Sequence, residues 1–220
     1  MVNASFLAFR MFETTLEEEN TTTAFEEEIV HRALWQYMRH SSPTLTASRE
    51  VAIAQHKEVR EQILHALNHD KRFPWHLLSL TDVPKFLSDI VESVIGAIYI
   101  DSQGSIEACE IFVGKLGILG ALEHILRNGI DCLHPKERLG HLAVEKSVHY
   151  VKVEEEKDGG SRAYRCQVKV GGENVGGVVE GVKRLNAETI AAWKAVNILE
   201  SAMDVDMEMS GDEEWHDADE

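Results

Sequence analysis

No run of about 18 apolar residues occurs anywhere in the 220-residue chain, which excludes a membrane-spanning helix. Proline is scarce, at four residues, while 44% of the chain is hydrophobic, so most of it is expected to fold. Cysteine is limited to Cys109, Cys132 and Cys166. An odd number without metal-binding spacing fits reduced thiols in an intracellular protein. The opening Met1-Val2-Asn3-Ala4 lacks the basic and apolar blocks of a signal peptide. The expected location is therefore the cytoplasm or nucleus, with no membrane partner.

Basic charge is also short, with 22 Lys and Arg against 38 Asp and Glu and a net charge of −16. Phosphate contacts normally need Lys and Arg, so this balance argues against a nucleic-acid binder. Its distribution weakens that objection. Residues 1–133 hold eleven basic and nineteen acidic side chains, residues 134–203 eleven and ten, and residues 204–220 none and nine. An acidic first domain, a near-neutral second one and an acidic tail result.

The first 131 residues are expected to be helical throughout. Residues 4–12 are apolar and helix-like. Phe25, Ile29, Ala33 and Tyr37 lie on one helical face that ends at Ser41-Ser42-Pro43, and residues 47–69 form a long helix. Pro84 opens a helix to about Ile100, with Thr81 or Asp82 as its cap. Further helical pieces run from Ser105 to the Asn128-Gly129 stop. After Cys132 the pattern changes. A short helix spans Pro135–Lys146, and a strand starts at Val148 and ends at a turn in Asp158-Gly159-Gly160. Alternating Tyr164, Cys166, Val168 and Val170 form a second strand, and Val175–Val182 a third. A helix over Asn186–Met203 completes an α-β-β-β-α order. The fold class is thus a mostly α domain over 1–131, then a small α+β domain over 132–203. Residues 204–220 are an acidic tail expected to be disordered.

On the helix from Pro84, Lys85, Asp89, Glu92 and Gly96 fall on one side, and Leu87, Val91, Val94, Ile95 and Ile98 on the other. Asp89 and Glu92 put their Cβ atoms about 5–6 Å apart on one surface. A carboxylate pair so spaced can hold a hard cation such as magnesium. Gly96 leaves room for a second backbone. The same pattern also describes a solvated helix face with an ordinary i,i+4 pair, Lys85–Asp89.

The segment Pro84-Lys85-Phe86-Leu87-Ser88-Asp89-Ile90-Val91-Glu92-Ser93-Val94-Ile95-Gly96-Ala97-Ile98-Tyr99-Ile100-Asp101 resembles the second signature of ribonuclease III domains. The opening Val2–Phe9 resembles the family's segment after its first signature. Tyr37–Pro43 and Phe73-Pro74-Trp75 resemble the insert of fungal Dicer-like members. His134–Gly140 extends the likeness into a double-stranded-RNA-binding-like domain, so that it covers residues 1–203. The resemblance implies the C-terminal part of a Dicer-like ribonuclease III protein. It further implies a phosphodiester hydrolase cutting double-stranded RNA in RNA processing and silencing. Asp89 and Glu92 become ligands of magnesium (or manganese in its place), Lys85 a catalytic residue steadying phosphate charge, and a second ribonuclease III domain the pairing partner, as a homodimer or from another chain or segment. The family's first signature, carrying the other two carboxylates, is expected before Val2 and is not among the 220 residues. The glutamates at 13, 17–19 and 26–28 do not form that motif. The isolated chain is therefore expected to cut RNA poorly or not at all.

The family's RNA-binding fold grips phosphates with a Lys-Lys-x-Ala-Lys stretch at its last helix. The matching residues here are Arg184-Leu185-Asn186-Ala187-Glu188, with one position apolar and one reversed in charge. Lys183, Arg184 and Lys194 are the candidate RNA contacts, beside a reading in which this domain serves packing or protein contacts. His65 and His69 share the spacing of zinc ligands, but Ala66 stands where a metalloprotease has glutamate, and ordinary surface histidines are expected. Two function classes follow: a ribonuclease III enzyme of which this is an incomplete copy, and a non-catalytic remnant that dimerises or binds RNA or protein.

Overall fold

The computed structural model describes residues 3–23, 26–153 and 164–210. It divides into two compact units, Met1–Cys132 and Leu133–Glu220. Cys132 belongs to the first, where its carbonyl accepts the Trp75 indole N–H at 3.2 Å.

The first unit opens with helix α1 (Ala4–Glu13), whose Asn3 side chain accepts the Ser5 and Phe6 amides. A hairpin follows, β1 (Thr15–Thr23) against β2 (Glu26–Ala33), with Leu16 facing Arg32 and Glu17 facing His31. The expected helix from Phe25 is therefore replaced by a strand and a short 3-10 turn, Leu34–Tyr37. Phe25 itself lies outside the described residues. Spacing of four apolar residues could not decide between the periods. The β-branched Thr15, Thr21–Thr23, Ile29 and Val30 favour extended backbone. The hairpin closes where the Leu34 amide donates to the Thr14 carbonyl at 2.9 Å.

Helix α2 (Pro43–His69) begins where a helix end was expected, because Pro43 suits a first turn and Ser42 caps it. Helix α3 (Trp75–Leu78), α4 (Lys85–Asp101), α5 (Ile106–Lys115) and α6 (Ile118–Asn128) complete the unit. Gly117 and Gly129, both in left-handed backbone, flank α6. Two apolar clusters form the core. Leu7, Ala8 and Met11 of α1 pack with Leu87 and Val91 of α4 and Phe112 and Leu116. Phe6 and Phe9 pack with Val59, Ile63, Phe73, Trp75 and Leu78. Glu13 ties α1 to His56 and Arg60 of α2. The rings of His65 and His69 stack, with centroids 4.5 Å apart.

The second unit runs α7 (Pro135–Leu142), β3 (Val148–Lys152), β4 (Tyr164–Val170), β5 (Glu173–Gly181) and α8 (Arg184–Ser210). Its antiparallel sheet has the order β3-β4-β5. Leu139, Cys166, Val168, Val179 and the apolar face of α8 make one core. Gly181 lies so close to the start of α8 that a Cβ there would sit 2.8 Å from Ala187 Cα. The turn expected at Asp158-Gly159-Gly160 lies outside the described residues. Helix α8 passes the expected end at Met203 and reaches Ser210, so residues 204–210 of the expected disordered tail are helical. No glycine or proline interrupts the sequence before Gly211. Residues 211–220 lie outside the described residues. Among the described residues, no helix is long and apolar enough to cross a membrane.

Candidate functional site

Helix α4 is anchored by Leu87 and Val91, both fully buried, and by buried Ser88, whose hydroxyl donates to the Lys85 carbonyl at 2.7 Å. Ile90, Val94, Ile95 and Ile98 pack beside them. This fixes the rotation of the helix and turns Asp89 and Glu92 outward. Neither Thr81 nor Asp82 caps it. The Thr81 hydroxyl donates to the Leu78 carbonyl, and the Asp82 amide to Gln55 Oε1.

The Lys85 ammonium donates to Asp89 Oδ1 at 2.7 Å, with side chains 82% and 42% exposed. The hydrogen bond and charge of Asp89 raise the Lys85 pKa above the ordinary lysine value. Glu92 is exposed one turn on. The Ser93 hydroxyl donates to the Asp89 carbonyl at 2.7 Å. Gly96 is open, with nothing within 4 Å of a Cβ placed there. Lys85, Asp89, Glu92 and Gly96 thus share one accessible surface, continued by exposed Ala97 and Ile100. Two carboxylates here offer the hard oxygen donors that magnesium prefers, with water completing its shell. Among the described residues, no group of three or more His, Cys, Asp or Glu side chains is placed to hold a metal ion. The pair therefore fits magnesium as part of a donor set.

The second unit carries the candidate basic contacts. Lys183, Arg184 and Lys194 are all exposed. Arg184 is not independent, however. Its Nε donates to Glu188 Oε1 at 2.6 Å, and the Lys136 ammonium donates to Glu188 Oε2 at 2.6 Å. The Glu188 side chain is only 6% exposed. Burial works to raise its pKa, but the hydrogen bonds and charges of Arg184 and Lys136 outweigh it and hold the carboxyl below the ordinary value. Lys136 also lies 4.6 Å from the centre of the Tyr150 ring. Sequence reasoning marked position 188 as reversed in charge and did not identify Lys136. The partner lies 52 residues away, and no local pattern marks such a pair.

Comparison with known proteins now bears on both units. A family model described as the dsRNA-binding domain of Dicer-like protein 2 matches residues 128–220. The chain is 60% identical over 222 residues to Dicer-like protein 2 of Phaeosphaeria nodorum, covering 99% of this chain and 16% of that protein. Dicer-like protein 2 of Coccidioides immitis is 39% identical over 91% of this chain and 15% of its own length. Dicer-like protein 2-1 of Aspergillus niger is 37% identical over 90% and 15%. The chain spans no more than 16% of the length of these curated relatives. It belongs to the fungal Dicer-like proteins and corresponds to their C-terminal region.

Proposed function

We propose that this chain supplies half of a ribonuclease III catalytic site, together with a duplex-binding module, to a Dicer-like endonuclease acting on double-stranded RNA. The observation that carries the reading is the outward display of Asp89 and Glu92 on α4, with Lys85 held against Asp89. In this reading Asp89 and Glu92 are ligands of magnesium, with manganese as a substitute. Bound there, the ion supplies charge stabilisation for displacement at a backbone phosphate. The chain's own residues do the positioning. Leu87 and Val91 hold the helix face in place, Asp89 and Glu92 present oxygen donors, and the exposed Lys85 ammonium offers positive charge to phosphate oxygens. In this reading the other two carboxylates belong to a first signature that is not among these 220 residues. A second ribonuclease III domain supplies the paired surface, for which the open Gly96 surface leaves space. Lys183, Arg184 and Lys194 are the phosphate contacts of the second unit.

Two measurements test this. Manganese titrated into the chain should broaden the NMR signals of α4 around Asp89 and Glu92, an effect lost in Asp89→Asn/Glu92→Gln. Equal broadening in that variant would refute the ligand assignment. Incubated with magnesium and an RNA duplex, the isolated chain should show little or no cleavage. Robust cleavage abolished by Asp89→Asn would show that the chain is not half a site but a whole one.

A further inference from the structure

We propose that Glu188 is a built-in phosphate surrogate, occupying Arg184 and Lys136 and so holding the duplex affinity of the second unit low. The inference rests on the duplex-binding reading and concerns how that surface is regulated. Its basis is the division of one carboxylate between two cations. Oε1 takes Arg184 Nε and Oε2 takes Lys136 Nζ, each at 2.6 Å. These are charge-assisted bonds of the kind a backbone phosphate would make with the same donors. The carboxylate is fixed, being 6% exposed, whereas Arg184 is 73% exposed and at the surface where a phosphate would arrive.

Position and chemistry make the contact competitive rather than incidental. Arg184 opens α8 and Lys136 lies in the first turn of α7, so Glu188 gathers the positive charge of two helix starts. Helix N-termini and their basic side chains are where anions are ordinarily received. A phosphate recruiting Arg184 must therefore share its guanidinium with Glu188 or displace it. The carboxylate also cancels one of the two positive charges, which lowers the counterion release that drives duplex binding.

The test is fluorescence anisotropy with a labelled blunt RNA duplex across a salt series, using the full chain. Glu188→Gln keeps the shape and removes the charge. It should tighten binding about tenfold, the worth of one freed charge-assisted hydrogen bond. It should also steepen the logarithmic salt dependence by roughly one contact. Arg184→Ala should cancel this gain, so that Arg184→Ala/Glu188→Gln binds duplex no more tightly than Arg184→Ala alone. Should Glu188→Gln unfold the unit, the double variant Lys136→Met/Glu188→Leu removes the partly buried pair without leaving an orphan charge. It should also tighten binding through Arg184.

Folded variants that bind duplex no more tightly than the parent overturn the surrogate. If the parent binds and Lys183→Ala and Lys194→Ala weaken it, the duplex reading survives that failure. If the parent does not bind but Glu188→Gln does, the surrogate stands and the native duplex reading falls. Absence of binding by every protein in the series overturns both.

Discussion

Glu13, the last residue of α1, receives the Arg60 guanidinium of α2 at both carboxylate oxygens, with Nε 2.8 Å from Oε1 and Nη2 2.8 Å from Oε2. His56 Nε2 lies 2.7 Å from the same Oε1, and the Glu13 side chain is 11% exposed. Burial tends to raise the Glu13 pKa, yet the Arg60 and His56 contacts bring it below the ordinary carboxylate value. Replacing Glu13 with Ala removes the shared acceptor of buried His56 and partly exposed Arg60. We expect a loss of about 2 kcal/mol, in the range for hydrogen bonds to charged groups. Urea denaturation of parent and variant measures it, and curves that superimpose would show that the contact contributes nothing.

Gly181 tests how closely β5 approaches α8. An added methyl group would press on the Ala187 backbone, which is fully buried and has no flexible atom to yield. Gly181→Ala should cost about 1–3 kcal/mol, as overpacking does. Loss of hydrogen-exchange protection should be confined to the second unit. Unchanged protection there would place more slack at this junction than its geometry allows.

Acid should weaken the first unit before its carboxylates titrate. Burial, only partly offset by Asp70, lowers the His76 pKa from 6.5 to about 4, and burial lowers that of His56 as well. Between those pH values the unfolded chain binds more protons than the folded one. Stability is therefore full above pH 6.5 and declines as pH falls toward 4. Glu13, also lowered, adds to the loss below its ordinary 4.5. Thermal melts from pH 7 to 4.5 should show a falling Tm that His76→Gln flattens. A flat profile in the parent between pH 7 and 5 would contradict this.

Lys85 should be dispensable for folding. Its ammonium is solvent-exposed, and an exposed i,i+4 pair adds little to stability. Lys85→Ala is expected to leave the melting curve unchanged, so any effect on manganese or RNA contacts can be read without a folding correction. A lowered Tm would reveal a structural role.

How much of this was legible in the sequence depended on the range of the interaction. The rotation of α4 was readable because Leu87, Val91 and Ile98 recur with the helical period and Asp89 and Glu92 fall opposite them. The alternation from Tyr164 to Val170 likewise gave a half-buried strand. The hairpin before Leu34 was not readable, since apolar residues at 29, 30, 33 and 34 satisfy a helix as readily as a strand. There the β-branched content decided. Ser42-Pro43 was read as an ending because proline stops helices, yet the same residue opens them once a serine caps the turn. The Lys136–Glu188 pair was beyond reach, because only the packing of α7 on α8 brings its members together.

The cysteines acquire a use from where the two units bury them. Cys109 in the first and Cys166 in the second are shielded, while Cys132 is half-exposed. An alkylating reagent applied to the native chain should therefore mark Cys132 alone. Under mild denaturant, the order in which the other two thiols become reactive would time the opening of each unit without any added label.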